Sequence, residues 1–121
     1  QSPFTGAIVV PNRDALRREL DARDIREGRA AAAADILGAE IDRYRAGGPY
    51  AGEFPERWLP AGLAIVDEPF TEQNGLINST MKIVRNKVEE YFRDRIDYLY
   101  TPEGRELRND KNLASLRKMV E

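Results

Sequence analysis

Lys82 is the residue whose type and place come nearest to chemistry. It follows the Asn74-Gly75 pair and precedes a long run of helical apolar spacing, so the sequence predicts it in the first turn of a helix. There an ammonium would join unpaired backbone N–H groups and the positive end of the helix dipole, which makes a compact site for phosphate or carboxylate. On spacing alone Lys82 also reads as an ordinary exposed lysine. The carboxylate pairs Glu89-Glu90 and Asp67-Glu68 are the other candidates. Adjacent helical residues diverge, so Glu89 and Glu90 make a poor acid–base pair and read as a solvated face. Asp67-Glu68 falls at a strand end and reads the same way. No glycine pattern matches a phosphate-cradling loop. Histidine and cysteine are absent, which excludes His-based triads, thiol nucleophiles, disulfides and His- or Cys-ligated metals.

A chain of 121 residues suits one domain, and 41% hydrophobic residues is enough for a modest core. Fifteen Arg and four Lys are balanced by 21 acidic residues, which argues against a general electrostatic grip on nucleic acid. The longest apolar stretches, such as 61–66, are far short of the roughly 20 residues of a membrane-spanning helix. No signal-peptide pattern is visible, and the lack of cysteine is compatible with a reducing cytosol. The first residue is Gln, so the chain reads as a piece of something longer.

These candidates need elements to position them. Residues 6–10 read as a buried strand stopped by Pro11. Asn12 is a good N-cap for a short helix over about 13–22, with Leu16 and Leu20 on one face. Five alanines (30–34) start a second helix over about 27–46, with Ala33, Leu37, Ile41 and Tyr44 at helical spacing and a stop at Gly47-Gly48-Pro49. Phe54 and Trp58 sit in a loop and read as pins onto the core, sharing it with Val84, Val88 and Phe92. Residues 63–66 read as a second buried strand. Asn74-Gly75 predicts a hairpin that returns Leu76-Ile77 alongside it. Asn78 then caps the longest amphipathic helix, carrying Met81, Val84, Val88, Phe92, Ile96 and Leu99. The charged tail 101–121 has a weak stripe at Leu113, Leu116 and Val120, and reads as a docked or frayed helix. The fold class is therefore α+β: a small sheet of two to three strands with a hairpin, against three to four helices.

Taken together, 58–100 resembles the C-terminal part of the long-chain fatty acid–CoA ligases, AMP-forming enzymes of the adenylate-forming superfamily. The matching residues are Ala64-Ile65-Val66-Asp67-Glu68-Pro69-Phe70-Thr71, then Asn74-Gly75-Leu76, then Thr80-Met81-Lys82-Ile83-Val84-Arg85. The close at Ile96-Asp97-Tyr98-Leu99-Tyr100 and the upstream Ala7-Ile8-Val9-Val10-Pro11-Asn12 also resemble family motifs. The family's Thr-Pro-Thr is here Asn78-Ser79-Thr80, which loses a proline and keeps a capping residue.

The resemblance implies that residues 1–100 form the family's mobile lid, with 101–121 as a tail outside it. The first strand after the interdomain hinge and the large adenylation domain would lie upstream. It implies that Lys82 is the catalytic lysine, active when fatty acid and ATP form acyl-adenylate. A second face would serve the attack of CoA. ATP, CoA and fatty acid would be substrates of the parent enzyme, and Mg2+ would be bound by the upstream domain. The fragment alone would be inactive. The parent would be cytoplasmic, with peripheral membrane association left open. A stand-alone α+β protein-interaction module is the alternative.

Overall fold

The computed structural model describes residues 6–45, 47–53 and 59–121. The fold is α+β, as expected, with five helices and a two-stranded parallel sheet among the described residues. Strand β1 (Gly6–Val9) stops ahead of Pro11, whose nitrogen has no hydrogen for a ladder. Asn12 caps helix α1 (Arg13–Ala22), its side-chain oxygen accepting the Ala15 N–H at 2.9 Å. Leu16 and Leu20, one turn apart, are its buried residues.

Helix α2 (Arg29–Asp42) is shorter at both ends than the sequence suggests. Gly28 takes left-handed backbone at φ +62°, so helical turns start after it. Past Asp42 the chain folds back, and the Tyr50 N–H reaches the Arg43 carbonyl at 2.7 Å. Phe54 and Trp58 lie outside the described residues.

Strand β2 (Gly62–Ile65) runs parallel to β1, in register from Gly6 opposite Gly62 to Val9 opposite Ile65. Parallel neighbours need a crossover, which α1 and α2 supply. Alternation along the strands feeds two separate cores rather than the one expected. Ala7, Val9, Leu63 and Ile65 pack with α1, α2 and the last helix. Ile8, Val10 and Val66 pack with Phe70, Leu76, Val88 and Phe92.

The predicted long helix is two: α3 (Arg85–Tyr91) and α4 (Arg93–Leu99). They bend at Phe92 (φ −107°, ψ 26°), with the Phe92 N–H still bonded to Val88 and Ile96 bonded to Phe92. The apolar stripe is nonetheless real, since Val88, Phe92 and Leu99 are buried. The helix starts at Arg85 because Asn78 and Thr80 spend their side-chain hydrogen bonds on a turn, competing with helical backbone.

The hairpin is also displaced. Asn74-Gly75 closes a loop of its own: the Asn74 side-chain oxygen accepts the Thr71 and Leu76 N–H groups at 3.0 and 3.2 Å. That loop delivers Leu76 fully buried, and Leu76-Ile77 do not pair with β2. The ribbon forms one step later, over 76–84, around an antiparallel bridge between Ile77 and Ile83.

Helix α5 (Asp110–Val120) takes the place on β2 that a returning strand would have filled. Residues on both sides of position 100 share one core, because Leu116, Met119 and Val120 pack with Leu16, Leu20 and Ala33. Small alanines on α2 let α5 lie close across it. Arg17 and Arg29 donate to the Met119 and Val120 carbonyls at 2.8 and 2.9 Å. In return, the Glu121 carboxylate accepts the Ala30 N–H at 3.0 Å at the start of α2. Helix ends otherwise left with bare carbonyls and amides are thereby satisfied.

Candidate functional site

Lys82 sits on the return arm of the 76–84 ribbon. The Val84 N–H bonds the Leu76 carbonyl at 2.9 Å, and the Asn78 N–H bonds the Lys82 carbonyl at 2.9 Å. These two bonds flank the Ile77–Ile83 bridge, the close non-hydrogen-bonded pair of an antiparallel ladder. At the tip the Met81 N–H closes a turn onto the Asn78 carbonyl at 2.9 Å. Met81 holds φ +64°, a left-handed conformation usually taken by glycine or asparagine.

The Asn78 side-chain oxygen accepts three hydrogen bonds. They come from the Thr80 N–H at 3.0 Å, the Thr80 hydroxyl at 2.7 Å and the Lys82 N–H at 3.1 Å. The root of the ribbon is anchored through buried Leu76, whereas its tip is exposed. Met81 and Ile83, on either side of Lys82, are 70% and 63% exposed. Lys82 is itself exposed, and its ammonium has no hydrogen bond or ion pair among the described residues.

Lys82 is therefore not in the first turn of a helix. Two residues of extended chain, Ile83 and Val84, separate it from Arg85, where α3 begins. The helix-end anion site expected from the sequence does not form around it, and what the tip offers an anion is the ammonium on its flexible stem.

The carboxylate pairs lie elsewhere. Glu68 accepts a hydrogen bond from the Tyr91 hydroxyl, whose pKa that bond raises, and one from Asn74 at 3.4 Å. Glu89 and Glu90 face solvent, as expected. No group of three or more metal-ligating side chains gathers among the described residues.

Sequence reasoning missed a buried polar cluster behind β2. Arg95 donates to the Ile65 carbonyl at 2.9 Å, to Ser115 at 3.3 Å and to the Asn112 side-chain oxygen at 2.6 Å. Burial lowers its pKa, opposed by Tyr98 and Asp67. Nothing in the sequence marks Arg95 and Asn112 apart from the charged residues around them.

Known proteins similar to this chain are found among plant acyl-activating enzymes. A long-chain acyl-CoA synthetase 8 from Arabidopsis thaliana is 27% identical over 96 residues, matching 78% of this chain and 13% of its own. A probable chloroplastic acyl-activating enzyme 16 of the same plant is 32% identical over 103 residues, again 78% of this chain and 13% of its own. A chloroplastic long-chain-fatty-acid–[acyl-carrier-protein] ligase, also from Arabidopsis thaliana, is 31% identical over 97 residues, 79% of this chain and 11% of its own. No family model matches, and no solved structure does. The chain is similar to one region of these acyl-activating ligases, which are adenylate-forming enzymes. It spans about an eighth of the length of these relatives.

Proposed function

We propose that this chain is the mobile C-terminal lid of a long-chain fatty acid–CoA ligase, and that Lys82 serves the step that makes acyl-adenylate. The observation that supports it is the placement of Lys82: an exposed ammonium at the tip of a ribbon whose root is fixed in the core. In that step negative charge gathers on the fatty acid carboxylate and the α-phosphate of ATP. A protonated lysine touching both lowers their repulsion and stabilises the transition state. It needs no proton transfer, which suits a chain without histidine. A lid that rotates away can withdraw the ammonium before CoA attacks.

In this reading the nucleotide pocket, the acyl tunnel and the Mg2+ site lie in the large upstream domain. The 121-residue chain on its own is then inactive. Long-chain specificity, a cytoplasmic setting and the use of a second lid face for CoA belong to the same proposal. No described helix is long and apolar enough to cross a membrane.

The test is Lys82→Ala in the full-length ligase, with the two half-reactions assayed separately. Acyl-adenylate formation should fall about 10²–10³-fold. Thioester formation from supplied acyl-adenylate and CoA should stay within about twofold. Equal loss in both halves would mark Lys82 as structural, and no loss in either would return it to solvent. The exposed Met81 and Ile83 favour a second reading, a protein-interaction module in which the ribbon tip docks onto a partner. Lys82→Ala would then leave both half-reactions unchanged, while Ile83→Asp would abolish partner binding.

A further inference from the structure

We propose that Asn78 is the positioning residue for Lys82, an inference that rests on the role of Lys82 proposed above. Asn78 holds both backbone groups of that residue. Its N–H binds the Lys82 carbonyl at 2.9 Å, and its side-chain oxygen binds the Lys82 N–H at 3.1 Å. The partners are backbone N–H groups and a hydroxyl, so the oxygen of the carboxamide, and not its NH2, faces into the turn.

The same oxygen gathers Thr80, and this locks the tip in a conformation the chain would otherwise avoid. Left-handed backbone is costly for a residue such as Met81, and it persists only where surrounding bonds over-determine it. Around Met81 those bonds all run to Asn78: the Met81 N–H to its carbonyl, and Thr80 and Lys82 to its side chain. Without the side-chain oxygen, Met81 can relax and the Cα of Lys82 turns with it. The ribbon root would stay, because the Val84 bond to buried Leu76 does not involve Asn78. The structural cost of losing that oxygen thus falls on where the ammonium points.

The experiment uses the full-length ligase with Asn78→Ala, Asn78→Asp, Lys82→Ala and the double variant Asn78→Ala/Lys82→Ala. Aspartate keeps a side-chain oxygen acceptor at the same reach. Asn78→Ala should lower the rate constant for acyl-adenylate formation about 10–10²-fold, the scale of a misplaced catalytic group, with KM for fatty acid little changed. Thioester formation should stay within about twofold, and Asn78→Asp should recover acyl-adenylate formation to within about threefold of wild type. On the Lys82→Ala background, Asn78→Ala should add less than about twofold, since there is no ammonium left to place. Three results would overturn the proposal: full additivity on that background, no recovery by Asn78→Asp, or equal loss in both half-reactions. If Lys82→Ala itself has no effect, the reading of Lys82 has failed. If Lys82→Ala collapses adenylation and Asn78→Ala does not, the positioning role alone has failed.

Discussion

The side-chain oxygen of Asn112 accepts the Ile65 N–H at 2.8 Å, standing where the next strand of the sheet would place a carbonyl. The same carboxamide donates to the Leu63 carbonyl at 2.9 Å and to the Leu107 carbonyl at 3.0 Å. One fully buried side chain therefore does for β2 what a neighbouring strand does, and Arg95 takes the remaining Ile65 carbonyl. An edge strand with bare amides invites pairing with other chains, and here α5 closes that edge.

Replacing Asn112 with Ala should remove about 3 kcal/mol of stability. The change strands the Ile65 N–H and the Leu63 carbonyl away from water and leaves Arg95 short of a partner. Urea unfolding of the variant against the parent protein measures it. A loss below about 1 kcal/mol would mean that water reaches the edge.

Deleting 110–121 should abolish cooperative unfolding. The deletion takes Leu116, Met119 and Val120 out of the core they share with α1 and α2, and bares the start of α2 at Ala30. A thermal melt followed by circular dichroism should lose its sigmoidal transition.

Two glycines should respond differently to alanine. At Gly104 an added Cβ would lie 1.8 Å from the Tyr98 carbonyl oxygen, so the turn after α4 must move, at a cost of about 3 kcal/mol. At Gly75 nothing lies within 4 Å of an added Cβ, and the cost is that of left-handed backbone at φ +80°, about 1–2 kcal/mol. Matched denaturant titrations would rank them. Reversal of the order would contradict the packing at Gly104.

Asp35 on α2 pairs with Arg108, which leads into α5, at 3.0 Å. The hydrogen bond from Arg108 holds the Asp35 carboxyl below its ordinary value. A depressed carboxyl contributes stability that is complete above the unfolded pKa of about 4 and is lost as pH falls through the folded value. Both side chains are more than half exposed, so the contribution is small and salt-screened. Asp35→Asn should be slightly less stable than the parent at pH 6 in low salt, with the gap closing toward pH 3 and in 1 M NaCl. A gap that does not narrow at all as pH falls from 6 toward 3 would show another cause.

What the sequence made legible follows from which signals are local. Helix α1 has its predicted bounds because Asn12, Asp14, Leu16 and Leu20 all act within one short segment. Both strands were likewise readable as short apolar runs, and the apolar stripe of α3 and α4 from its helical spacing. The hairpin was misplaced because Asn74-Gly75 carries the usual turn signal, while the working turn puts Met81 in the left-handed position, where its residue type gives no hint. That single shift also moved Lys82 from a helix start to a ribbon arm. The buried role of Asn112 was illegible for another reason: it depends on a strand edge 47 positions earlier in the chain.

The ribbon that carries Lys82 obeys a parity. Side chains alternate across an extended arm, so Lys82 and Ile83 look to opposite sides. The ribbon is held at its root by Leu76 and Ile77, whose N–H groups bond the Thr71 carbonyl, and by the Val84 N–H on the Leu76 carbonyl. Inserting or deleting one residue between those clamps would reverse the side from which the ammonium emerges, with neither core disturbed. Length in this short span is therefore a direction-setting quantity. A chain of otherwise similar sequence with one residue more or fewer here would present its lysine to the opposite hemisphere.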